Sequence, residues 1–120
     1  MGSTVLLCDD AMFTRMLLSG LLQEAGYEVI GEAGDGLAAV ERYEELRPDL
    51  VIMDMVMPGM SGIEAVRAIR ARNPDARIVM CSAMSQRQLC DEAMAAGAAG
   101  FIVKPFNTAR VLEALDEAGG

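Results

Sequence analysis

Histidine is missing from this chain altogether. Its absence removes imidazole general bases, histidine-ligated metals and an internal phosphohistidine relay. Any chemistry must fall to carboxylates, hydroxyls and one lysine, Lys104, since the other cationic residues are all arginines. Cysteine is scarce. Cys8, Cys81 and Cys90 make an odd set without C-x-x-C spacing, which suggests neither a disulfide framework nor a structural zinc site. They read as buried small hydrophobes. No apolar run approaches the roughly eighteen residues of a membrane span. The start, Met1 to Cys8, lacks the basic region, hydrophobic stretch and cleavage site of a leader. No membrane contact is therefore expected, and a cytoplasmic location is the default reading. Positive charge is thin as well: 10 cationic residues stand singly against 18 acidic ones, for a formal charge of −8. That balance argues against DNA or RNA as a direct partner.

What is present suits one domain. The 120 residues are 52% hydrophobic, enough to close a single core across residues 1–120 and too few for an added output domain. No linker, repeat or low-complexity stretch interrupts them. Short apolar runs alternate with helical segments: strands over Thr4 to Cys8, Glu28 to Ala33, Leu50 to Met53, Arg77 to Cys81 and Phe101 to Val103. The first helix is expected to bury Phe13, Leu17, Leu21 and Ala25 and to stop at Gly26. Asp35 is a plausible N-cap for a second helix that ends before Pro48. Ser61 and Glu64 have capping-box spacing, a fourth helix spans Gln86 to Ala96, and Asn107 caps the last. The third run, Leu-Val-Ile-Met, is apolar throughout, as a central parallel strand covered on both faces must be. Five strands alternating with five helices imply an α/β fold with a doubly wound parallel sheet.

Ligands in that architecture bind beyond the carboxyl ends of the strands. Asp9-Asp10 follow strand one, Asp54 follows strand three, Ser82 closes strand four and Lys104 follows strand five. An acid where a strand becomes a turn has a bland explanation at any one of these positions. Four on one edge do not. Three close carboxylates repel, and burial would raise at least one pKa, so the cluster calls for a cation. The donors are all oxygens, which suits Mg²⁺ with retained waters and a bound phosphate. A carboxylate there can act as nucleophile toward a phosphoryl donor while Lys104 and the Ser82 hydroxyl serve the equatorial oxygens.

These residues, with the Met57-Pro58-Gly59 turn, the Cys81-Ser82-Ala83 step and Lys104-Pro105, resemble the receiver-domain pattern of two-component response regulators over essentially the whole chain. The resemblance implies a flavodoxin-like sheet in the order 2-1-3-4-5. It makes Asp54 the phosphoacceptor, Asp10 and Asp54 direct metal ligands, Asp9 the holder of a metal-bound water, and the Val56 backbone carbonyl a further ligand. Ser82 and Phe101 become the switch pair, and Lys104-Pro105 a cis peptide. The stretches Asp9 to Arg15 and Cys81 to Met84 are most similar to stand-alone chemotaxis regulators of the CheY type. That likeness implies a monomeric phosphoacceptor rather than an enzyme, taking its phosphoryl group from a histidine kinase and signalling to the flagellar motor switch.

Val56 and Met84 are apolar where the best-known enteric form has polar residues that can position an attacking water. Slow hydrolysis, and with it a dedicated phosphatase, follows as an expectation. A haloacid-dehalogenase-type hydrolase would need an acid at position 56 and a cap domain. A flavodoxin-like flavin carrier would be repelled by the acidic turn after strand one. A non-chemotactic regulator, or a receiver cut from a longer protein, would look much the same. Gln86, Arg87, Phe101 and Arg110 mark a candidate partner face on helix four, strand five and helix five. The remaining apolar residues of the first helix, Met12, Met16, Leu18 and Leu22, read as gap-filling core, with a docking surface as the alternative.

Overall fold

A computed structural model describes residues 3–83 and 87–119. Met84 and Gln86 lie outside them. The strands are β1 (Thr4–Cys8), β2 (Glu28–Ala33), β3 (Leu50–Asp54), β4 (Ile78–Ser82) and β5 (Gly100–Val103). The helices are α1 (Met12–Glu24), α2 (Gly36–Leu46), α3 (Gly62–Arg72), α4 (Arg87–Ala95) and α5 (Thr108–Glu117). All pairings are parallel, and the sheet order is β2-β1-β3-β4-β5. The expected α/β doubly wound fold is therefore the observed one.

Local chemistry sets the boundaries. The Asp35 carboxylate accepts from the Ala38 N–H and starts α2. Ser61 and Glu64 form a reciprocal capping box at α3, and Asn107 accepts from the Arg110 N–H at α5. Gly26, at φ +93°, takes the left-handed turn that follows α1. Arg47 enters the same region at φ 46° and closes α2 ahead of Pro48.

Every residue of β3 and β4 is buried, because helices cover both faces of these central strands. Alternate side chains feed two cores. Leu6, Val51, Met53, Ile78 and Met80 meet α2, α3 and α4 through Ala39, Val40, Val66, Ile69 and Ala93. Val5, Leu7, Leu50, Ile52 and Ile102 meet α1 and α5 through Leu18, Leu22, Val111 and Leu115. Each fully buried aliphatic side chain contributes about 1.5–3 kcal/mol.

The first helix corrects the expected phase. Leu18 and Leu22 are the buried pair, whereas Phe13 is 75% and Leu17 51% exposed, Ala25 is exposed and Leu21 only half-buried. Two neighbouring rows of this helix are apolar, so hydrophobic spacing fits either. Packing selects the slimmer leucine row for the sheet face that carries Val5 and Leu7. Met12 and Met16 are exposed rather than core-filling. Among the described residues no helix is long and apolar enough to cross a membrane.

Candidate functional site

Because the strands are parallel, their carboxyl ends form one edge, and the sequence-marked polar residues meet there. Asp54 is the last residue of β3 rather than the first beyond it, and its register partner on β4 is Cys81. Ser82 ends β4, its carbonyl accepting from the Lys104 N–H at 2.7 Å. The Asp9 N–H donates to the Ala33 carbonyl, fixing the turn after β1 to the end of β2. Gly62 brings α3 against the same edge. A Cβ at that position would stand 2.1 Å from the Asp54 carbonyl oxygen, so only glycine permits the approach.

Asp9, Asp54 and Ser82 are buried, and Asp10 is exposed. One carboxylate oxygen from each of Asp9, Asp10 and Asp54 lies within 4.8 Å of the others. The Lys104 ammonium bridges two of them, donating to Asp9 Oδ2 at 2.7 Å and Asp54 Oδ2 at 3.3 Å. The remaining oxygens are used locally. Asp9 Oδ1 accepts from the Ala11 N–H, and Asp54 Oδ1 accepts from the Val56 N–H at 3.2 Å.

Burial pushes the Asp54 carboxyl above its ordinary value, Asp9 adding to the rise, while the Val56 N–H and Lys104 pull the other way. For Lys104 burial acts to lower the pKa, but the hydrogen bond to Asp9 and the surrounding negative charge outweigh it. The ammonium therefore stays charged well above neutrality. The arrangement suits a hard divalent ion: an all-oxygen donor set at cation-binding separation, with an ammonium already counterbalancing its charge. Burial pushes the Cys8 thiol up and the Cys81 thiol up to about 12, so neither adds negative charge to the cluster at neutral pH.

A family model for the response regulator receiver domain matches residues 5–116. The chain belongs to the response-regulator receiver family. It is 53% identical to the chemotaxis protein CheY of Thermotoga maritima and 49% identical to that of Bacillus subtilis, each match covering 98% of both chains. The crystal structure of a CheX–CheY–BeF3–Mg²⁺ complex from Borrelia burgdorferi contains a chain of the same fold. There the TM-score is 0.95 at 34% identity, over 98% of this chain and 90% of that one. Chemotaxis-type signalling is thus the class to which this receiver is related.

The receiver edge gathers Asp9, Asp10, Asp54, Ser82 and Lys104 as the strand ends led one to expect. Val56 lies two residues past Asp54 with its side chain 67% exposed. Phe101 sits half-buried against the core, and its carbonyl accepts from Arg110 at 2.9 Å. Lys104-Pro105 is cis. Arg87 is exposed beside Asp91, and Arg110 is paired with Glu113. Two contributors were not foreseen. Gly62 carried no spacing signal, and Arg15, the only basic residue of α1, turns inward to the Asp9 carbonyl.

Proposed function

We propose that the protein is a stand-alone chemotaxis response regulator in which Asp54 accepts a phosphoryl group from a histidine kinase. The observation that carries this reading is a buried carboxylate, Asp54, tied to the one lysine and flanked by two further acids at the edge where α/β ligands bind. Asp9, Asp10, Asp54 and the Val56 carbonyl would hold Mg²⁺. When bound, that ion supplies neutralisation of the phosphoryl oxygens and of the acid cluster.

The chain's own residues supply the rest. An Asp54 carboxylate oxygen attacks phosphorus, the bond from phosphorus to the donor's imidazole nitrogen breaks, and that nitrogen keeps the electron pair and takes up a proton. Lys104 passes from the carboxylates to an equatorial phosphoryl oxygen, and the Ser82 hydroxyl donates to another. Movement of Ser82 leaves room into which Phe101 turns, altering the face that carries Arg87 and Arg110. A flagellar motor switch protein reads that face.

The apolar, exposed Val56 side chain gives an attacking water no hydrogen bond, which supports a long-lived phosphorylated form and a dedicated phosphatase. The Borrelia relative, found with CheX, BeF3 and Mg²⁺, supports both the ion and a second protein partner.

Incubation with Mg²⁺ and acetyl phosphate, followed by location of the added mass, tests the acceptor. Labelling on Asp54 is expected, and undiminished labelling of Asp54→Asn refutes it. Binding to a flagellar switch peptide should tighten on phosphorylation; unchanged affinity counts against the motor role.

A further inference from the structure

We infer that Arg15 is a positioning residue for the metal site, acting through the backbone of the Asp9-Asp10 turn; this rests on the reading that those acids hold Mg²⁺. The Arg15 side chain is 17% exposed, low for an arginine on a surface helix. Its Nη1 donates to the Asp9 carbonyl oxygen at 2.5 Å, and its Nε donates to Glu32 Oε1 at 2.8 Å. One planar guanidinium thus joins three elements: α1, the turn after β1, and β2 through Glu32. Only arginine offers donors in a rigid fork of that span.

The joint matters because of what Asp9 already does. Its N–H is fixed to Ala33, its Oδ1 to the Ala11 N–H and its Oδ2 to Lys104. The peptide between Asp9 and Asp10 is held on its carbonyl side by Arg15, and that peptide sets where the Asp10 carboxylate points. Asp10 itself is exposed and has little packing to orient it. The first turn of α1 adds no acidic side chain, and the guanidinium holds this peptide by a charge-assisted hydrogen bond.

A charge argument alone predicts the opposite of positioning. Removing a cation bonded to the acidic turn strengthens the attraction of its carboxylates for Mg²⁺, whereas releasing the turn weakens binding because the oxygens no longer converge. Loss of outer-shell partners of metal ligands typically lowers affinity about 10- to 100-fold. The predicted sign therefore separates the two roles.

The experiment is calorimetric titration of wild type, Arg15→Gln and Arg15→Lys with MgCl2, alongside thermal unfolding of each in EDTA. Arg15→Gln is expected to bind Mg²⁺ about tenfold more weakly while remaining folded. Arg15→Lys should fall between, since an ammonium reaches one partner but not both; it decides the matter if the glutamine variant does not fold. Equal or tighter Mg²⁺ binding by the folded variant overturns the inference, as does a lowered melting temperature with unchanged affinity. Asp10→Asn serves as the reference. If wild type binds Mg²⁺ and Asp10→Asn does not, the metal reading stands whatever Arg15 shows; if wild type does not bind, both fall.

Discussion

The two edges of the sheet handle polarity in opposite ways. At the amino-terminal edge polar groups are matched and mostly wet: Asp49 accepts from the Thr4 N–H and hydroxyl, Asn73 donates to the Tyr43 hydroxyl, and Arg77 donates to the Gly119 carbonyl. At the carboxyl-terminal edge three acids converge, and the two buried ones share one lysine. At the first edge the hydrogen-bonding capacity is met by partners within the chain. The second leaves more negative charge than Lys104 balances, and that excess is its capacity to bind.

Replacing Lys104 by methionine should produce the largest effect. Phosphoryl incorporation from acetyl phosphate falls about 100-fold, measured by intact-mass kinetics, because a donor aimed at the developing charge is lost. Incorporation within a few-fold of wild type breaks the contrast between the edges.

Two glycines sharpen it next. Gly62→Ala forces a Cβ into the backbone behind Asp54 and should cost about 3 kcal/mol in urea unfolding. At the opposite edge, Gly97 at φ +110° faces the Arg70 side chain, which can move aside. Gly97→Ala should cost about 1–2 kcal/mol, through its backbone conformation, and leave phosphorylation unchanged.

Titration gives a smaller, signed difference. The Asp54 pKa is raised in the fold, so its contribution is fully present below the ordinary carboxylate value and is lost as pH rises through the raised one. Asp54→Asn should therefore melt higher than wild type at pH 7 in EDTA, by about 2–4 °C, with the gap closing near pH 3. Added Mg²⁺ should raise the wild type and not the variant.

Asp49 runs the other way. Its pKa is lowered, first by the Thr4 N–H, so its contribution is present above the ordinary value and lost as pH falls through the lowered one. Being solvent-exposed, it matters little: Asp49→Ala should cost less than about 1 kcal/mol at pH 7, read by urea unfolding.

The edges also differ in how legible they were. Asp54, Ser82 and Lys104 were readable because a strand's last apolar residue fixes where its end lies, and parallel topology then brings those ends together. Asp35, Ser61 and Asn107 were readable because capping depends on residues three apart. Long-range fit was not. α1 carries two apolar rows, and only packing on the sheet decides that Leu18 and Leu22 go inside while Phe13 and Leu17 stay out. Gly62 and Arg15 act on groups distant in sequence or on a backbone carbonyl, and no spacing rule marks either.

Lys104 carries one more consequence. A cluster of acids that needed an outside ion for its charge balance would make the chain a hostage to the ion content of its surroundings while it folds. Here a tethered ammonium just past the end of β5 already sits between Asp9 and Asp54, its backbone fixed by the Lys104 N–H bond to Ser82. The protein carries its own counter-charge for the buried acids wherever it folds.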